Sequence, residues 1–309
     1  MNLFFFSLVT FLVTGKRIID RTRKGWTIYV SLSNHIFCDL GDVEDTLHVS
    51  RKIRLKIYKG NSSYFSSTES MVMNPGNIAD DILPDRDSIL YIHGFLENTE
   101  AENVRVIIRA YLDKGDVNVI VLDWGEIAFN INYVYVSSQV VTIAKAVAES
   151  LKKLVDLIDL DTLHVIGHSL GAHIAGNIGR YANINLSRIT GLDPALPLFY
   201  PSTCHVRSTD AEAVVILHTD GGFYGTATNT GTIDFYVNGG SSVQPGCPII
   251  FGGVEKHGRR FKRNFHSMEW RSRKHDRLRY TPDCNVLGRH GNFAYLTFHP
   301  MLHLPLNDA

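Results

Sequence analysis

The chain has 309 residues, 44% of them hydrophobic, enough to bury one substantial core, and one large domain is expected. Basic and acidic residues balance at 31 each, so no global positive field points to nucleic acid as a partner.

The first residues read MNLFFFSLVTFLVTGKR. A nearly apolar run from Leu3 to Val13 stops at Thr14 and Gly15, and charge follows. That length suits the hydrophobic region of a secretion signal and is too short to cross a bilayer. Only the α-amino group stands in for the usual basic leader, so an uncleaved anchor or a buried first strand is the alternative. The expectation is a signal peptide over residues 1–15, a single domain over 16–309, and a secreted, extracellular protein. Residues 16–83 are irregular in pattern and predict antiparallel edge strands.

Further on, 88–93 (SILYIH) and 117–122 (VNVIVL) are near-continuous apolar runs of the kind buried on both faces of a sheet. Residues 101–112 between them have helical composition. From Val140, apolar residues recur at Ile143, Val147, Leu151, Leu154 and Ile158, a spacing that predicts an amphipathic helix. A strand through Leu163, Val165 and Ile166 comes next, then a helix, then short strands at 188–192 and 213–218. Strand and helix in alternation predict an α/β fold with a mostly parallel sheet flanked by helices.

Between that strand and helix lies Gly167-His168-Ser169-Leu170-Gly171, a serine in a G-x-S-x-G setting. A serine hydroxyl is a poor nucleophile unless a sharp strand-to-helix turn exposes it beside a base. The pattern recurs by chance, so its surroundings decide. Active sites of such sheets lie at the C-terminal strand ends, so polar residues after apolar runs are the candidates. SILYI ends in His93-Gly94-Phe95, where a backbone N–H could hold a developing oxyanion. The 188–192 run ends in Asp193-Pro194-Ala195, a carboxylate placed to orient a histidine; Asp-Pro is also a plain turn signal.

HGF at 93–95, LDWG at 122–125, GHSLGAHIAG at 167–176, ITGLDPA at 189–195, HTD at 218–220 and DFYVNGGSSVQPGC at 234–247 follow in order. Together they resemble the pancreatic-lipase-like family of neutral lipases, phospholipases A1, insect lipases and catalytically silent yolk-protein relatives. The match runs from about Ile53 to His266. The resemblance implies an α/β-hydrolase fold with Ser169 as nucleophile, Asp193 as acid and His266 as base. Phe95 and Leu170 would be the oxyanion donors through their backbone N–H groups. His257 and His275 are alternative bases, and Asp220 is the alternative acid. His218 matches a family position that is not the base and is expected to pack in the core. Neither a metal nor another cofactor is implied: of the carboxylates of the vertebrate calcium segment, only Asp210 is kept.

The chain also departs from the family. Asn264 stands where a cysteine partner for Cys247 is usual, Met268 replaces an arginine, and only 17 residues separate His266 from Cys284. Cys38, Cys204, Cys247 and Cys284 allow two disulfides in three pairings, or four free thiols. Both the loop Gly221 to Ile233 and the lid, about 248–263, are short, as in the phospholipase A1 and insect branches. The domain is expected to lack the C-terminal β-sandwich of the vertebrate members, and no colipase is expected.

Residues 256–279, from Lys256 to Arg279, carry ten basic residues against Glu269 and Asp276. They form either a solvated loop or a contact with anionic lipid. The expected function is secreted hydrolysis of glycerolipid esters, of triacylglycerol lipase or phospholipase A1 type, at a membrane, droplet or micelle surface. The alternative is a non-catalytic lipid- or hormone-binding protein of yolk-protein type.

Overall fold

The computed structural model describes residues 18–22, 25–29, 43–182, 186–200 and 203–240. Strands β1 (Ile18–Thr22) and β2 (Gly25–Tyr29) pair antiparallel as a small separate sheet. Helix α1 (Val43–Ser50) leads into the main sheet. Its strands are β3 (Arg54–Gly60), β4 (Phe65–Met71), β5 (Asp87–Ile92), β6 (Val117–Asp123), β7 (His164–His168), β8 (Arg188–Leu192), β9 (Ala213–His218) and β10 (Ile233–Tyr236). They lie in the order 10-9-8-7-5-6-3-4. Every pairing from β10 to β6 is parallel, whereas β3 runs antiparallel to β6, and β4 to β3. The expected antiparallel edge strands of residues 16–83 are thus present.

Parallel neighbours need long crossovers. Helices α3 (Glu102–Lys114), α6 (Val140–Lys152) and α7 (Leu170–Ala182) provide three of them. The apolar runs read as two-faced because alternate residues enter different cores. Leu90, Ile92, Ile120, Leu122 and Val165 pack in the larger core with Ile143, Val147 and Ile174 of α6 and α7. Ile89, Tyr91, Val119, Val121 and Ile166 pack on the opposite face with Val104, Ile107 and Ile108 of α3. Gly115 ends α3 in the left-handed region (φ 79°), its N–H bonded to the Tyr111 carbonyl.

Two differences from the sequence pattern stand out. Helix α6 stops at Lys152, short of Ile158, yet Leu154 and Ile158 remain buried. Turn hydrogen bonds, Leu154 N–H to Leu151 O at 2.9 Å and Ile158 N–H to Leu154 O at 2.8 Å, carry the apolar phase beyond the helix. Strand β10 is four residues of mixed exposure, too short for an alternating pattern to reveal. Short helices α2 (Gly76–Ala79), α4 (Gly125–Ala128) and α5 (Tyr133–Ser138) fill the connections. Among the described residues no helix is long and apolar enough to cross a membrane.

The strand order fixes where a ligand can enter. The chain passes from β5 to β6 on one side and then returns to place β7 on the other side of β5. The crevice beyond the C-terminal ends of β5 and β7 is therefore the topological switch point, where open α/β sheets bind ligands.

Candidate active site

Ser169 stands at that crevice, between the last residue of β7 and the first of α7. Its φ is 55°, a left-handed conformation that is strained for a residue with a Cβ. The glycines around it explain how the chain turns so tightly. A Cβ on Gly167 would lie 2.2 Å from the Gly171 carbonyl oxygen, and one on Gly171 would lie 2.3 Å from that of Ile92. Only glycine lets α7 start this close to both β7 and β5. The Ser169 N–H is tied to the Leu192 carbonyl (2.9 Å), while the side chain is buried with a small exposed fraction of 7%.

Leu170 opens α7, so its N–H is one of the first four in a helix, which have no intrahelical partner. The positive end of the helix dipole adds to the attraction for negative charge there. From the other side, the loop after β5 closes on the serine: a Cβ on Gly94 would come within 3.0 Å of the Ser169 Cβ. Phe95 is the next residue, and among the described residues its N–H donates to none. Leu96 follows at φ 55° and donates its N–H to the Ala128 carbonyl (3.0 Å). Left-handed non-glycine residues thus occur just past β5, β7 and β8, at Leu96, Ser169 and Asp193.

Asp193 is fully buried at the end of β8. One carboxylate oxygen accepts the N–H groups of Thr219 (2.5 Å) and Asp220 (3.1 Å), and the other accepts the Thr219 hydroxyl. The HTD motif therefore cradles the carboxylate from the end of β9. Its histidine, His218, is buried, with Nε2 2.7 Å from Asp234 Oδ1 and Nδ1 2.8 Å from the Thr226 carbonyl. Both ring nitrogens face acceptors within the fold, in line with a packing residue. Asp220 lies beside Asp193 and supports it through the backbone. The loop from Gly221 to Ile233 is bonded to the acid turn, with Leu196 N–H on Tyr224 O and Thr226 N–H on Pro194 O.

The other motifs are ties between these loops. His93 stacks on Trp124 (5.3 Å) and accepts its N–H, and the indole N–H donates to the His93 carbonyl at 2.9 Å, which joins HGF to LDWG. His173 of α7 donates to the Ala195 carbonyl (2.8 Å), and burial holds its pKa down to about 3, in the neutral form. Tyr133 touches the Phe95 ring edge-on at 5.1 Å and donates its hydroxyl to the Pro197 carbonyl.

Sequence reasoning missed Glu97. Its carboxylate is buried and accepts the Gly94 N–H (2.7 Å), His168 Nδ1–H (3.2 Å) and Asn103 Nδ2–H (2.6 Å). Burial alone would raise its pKa, but the His168 charge and hydrogen bond and the Gly94 N–H bring it down to about 2. The only signal in the sequence was an acid in the otherwise apolar start of a loop, Phe95-Leu96-Glu97.

The structure brings Ser169, Asp193, Phe95 and Leu170 to one crevice. His266, its alternatives His257 and His275, the lid at 248–263 and the basic stretch 256–279 lie outside the described residues, as does the signal peptide. Cys204 is disulfide-bonded, and Cys38, Cys247 and Cys284 lie outside the described residues. Both oxygens of Asp210 are taken by the Arg180 guanidinium, at 2.7 and 2.8 Å. Among the described residues no group of three or more His, Cys, Asp or Glu could hold a metal ion.

A family model described as Lipase matches residues 51–266. Lipase member H-A of Xenopus laevis is 40% identical over 180 residues, 55% of this chain and 38% of that protein. Lipase member H of Xenopus tropicalis is 33% identical over 235 residues, 72% of this chain and 48% of that one. Phospholipase A1 2 of Dolichovespula maculata is 38% identical over 187 residues, 55% of this chain and 61% of that one. The chain thus spans 38% to 61% of the length of these relatives. Among solved structures, a thermophilic esterase of Thermogutta terrifontis aligns at 14% identity, with 55% of this chain, 70% of that one and a TM-score of 0.34.

Proposed function

This chain belongs to the Lipase family, and from that premise we propose that it is a secreted serine hydrolase of glycerolipid carboxylic esters. The observation that carries the reading is the conformation of Ser169, strained at a strand-to-helix turn between the Gly94–Phe95 loop and the cradled Asp193. Such a turn presents the hydroxyl of Ser169 at the switch-point crevice, the placement a serine nucleophile requires.

In the proposed reaction the Ser169 hydroxyl attacks the acyl carbonyl and His266 takes its proton. Asp193 steadies the imidazolium, and the Phe95 and Leu170 N–H groups hold the oxyanion. The alcohol leaves with the proton from His266. Water, activated by the same histidine, then attacks the acyl-enzyme and releases the fatty acid. The reaction as written calls for no cofactor.

A lipid substrate is supported by the rim of the crevice. No charged residue occurs between Glu126 and Lys145, and Phe129 and Ile131, at 52% and 86% exposure, project from this stretch beside the Leu96–Ala128 contact. Exposed aliphatic and aromatic side chains with neutral Asn130 and Asn132 between them suit the edge of a lipid layer. Relatives named lipase and phospholipase A1 support triacylglycerol and phospholipid alike. The basic stretch 256–279 would add attraction to anionic lipid, and interfacial activity insensitive to salt would count against that contact. A disulfide at Cys204 supports an oxidising, extracellular compartment.

The test offers the purified protein triacylglycerol and phosphatidylcholine side by side, with Ser169→Ala as control. Fatty acid release from at least one, abolished by the substitution, is expected. Release from neither substrate would favour the non-catalytic binding protein instead.

A further inference from the structure

We propose that Glu97 is a positioning residue that locks the oxyanion loop to the nucleophile turn, an inference that rests on the ester-hydrolase reading of the site. The ladder between β5 and β7 ends at the pair Ile92–Gly167. Beyond that point no strand hydrogen bond holds residues 93–96 against His168 and Ser169. The loop is anchored toward β6 by Leu96 N–H on the Ala128 carbonyl. Toward β7 the tie is the Glu97 side chain, whose Oε2 accepts both the Gly94 N–H and His168 Nδ1–H. One oxygen thus joins a residue next to Phe95 with a residue next to Ser169.

Two consequences follow from the chemistry of that tie. The Gly94 N–H is consumed by the carboxylate, which removes it as a competing oxyanion donor and leaves the next amide, that of Phe95, for the crevice. The separation of loop and serine is also fixed, in a region where a Cβ on Gly94 would already stand 3.0 Å from the Ser169 Cβ. A carboxylate is required because three donors converge on it, two on Oε2 and Asn103 Nδ2–H on Oε1. A glutamine has one acceptor oxygen, and its amide would face a donor on the other side.

The experiment compares the wild-type protein with Glu97→Gln and His168→Phe. Active sites are first counted with a fluorophosphonate probe, and kcat and KM for a soluble ester are then expressed per labelled site. An alkylboronic acid, whose serine adduct places an oxygen in the oxyanion position, is measured as inhibitor. Each variant should lose kcat by about tenfold to a hundredfold with KM nearly unchanged, and boronate affinity should fall by the same factor. The double variant should be no worse than the poorer single one, since both cut the same tie.

A Glu97→Gln protein with wild-type kcat and boronate affinity per labelled site, and only a lower melting temperature or labelled fraction, would overturn the proposal. If Glu97→Gln fails to fold, Asn103→Ala carries the test: it frees one carboxylate oxygen and should lower kcat and boronate affinity together by about threefold. No change in either value there also overturns it. A wild-type protein that is neither labelled nor active would instead sink the hydrolase reading itself, and this inference with it.

Discussion

Replacing Gly171 by alanine probes the turn that presents Ser169. The new methyl group would meet the Ile92 carbonyl oxygen at 2.3 Å and that of His93 at 2.7 Å, both backbone atoms at the end of β5. Ordinary contact requires roughly 3.4 Å, so α7 and β5 must separate by about 1 Å. Overpacking of that kind costs about 1–3 kcal/mol of stability. A displacement of about 1 Å between a nucleophile and its oxyanion donors lowers catalysis by about a hundredfold. Gly94→Ala is the graded comparison, because its nearest neighbours lie at 3.0–3.2 Å and need give only a few tenths of an ångström. Gly76→Ala is the control: among the described residues its one close atom is Asn74 Oδ1 at 3.7 Å, and its helix packs against β3 and β4 at the other edge of the sheet from β7 and β8. Thermal melting and turnover of a soluble ester should rank wild type and Gly76→Ala highest, Gly94→Ala lower and Gly171→Ala lowest. A Gly171→Ala enzyme as active as Gly76→Ala would refute the close approach of β5 and α7 on which the site depends.

Further outcomes are expected elsewhere. Thr219→Val removes the hydroxyl bond to the Asp193 carboxylate; a bond to a charged group contributes about 1.5–3 kcal/mol, so kcat should fall tenfold or more, and unchanged kinetics would show that the carboxylate needs no such support. Ile131→Asp should lower activity on emulsified long-chain lipid by about tenfold and spare a soluble short-chain ester, and equal losses on both would refute a lipid-facing rim. His164 and His173 are held by burial at about 3 in the folded protein. Unfolded histidine takes its proton near 6.5, so below that pH the unfolded state binds more protons. Stability, read from urea midpoints, should therefore fall by about 1.4 kcal/mol per pH unit for each of the two as pH drops from about 6.5 toward 3. Midpoints that stay flat from pH 7 to 4.5 would show that these rings are not buried neutral.

Much of this layout was legible in the sequence because the central strands are buried on both faces. Runs such as 88–93 and 117–122 leave little choice of structure, and the strand bounds 188–192 and 213–218 coincide with β8 and β9. The C-terminal strand ends then place Ser169, Asp193 and Gly94 in one crevice, a matter of topology more than of local pattern. Glu97 was not legible, since its role arises from folding back under its own loop to meet His168, 71 residues away in sequence. Nor was β10, whose four residues are defined by their pairing with β9. The early end of α6 is hidden in the sequence for a related reason: an apolar phase persists through turns as well as through helix, and burial at Leu154 and Ile158 does not tell them apart. Motif residues such as Trp124 and His218 were legible as a pattern, but their purpose as ties between loops needed the distances.

A fluorophosphonate probe reads out whether Ser169 is a working nucleophile. Folded protein should gain one covalent adduct, located by peptide mapping on Ser169, and labelling and ester hydrolysis should vanish together in Ser169→Ala. Folded protein that resists the probe, or that labels equally well without Ser169, would show that Ser169 is not the nucleophile.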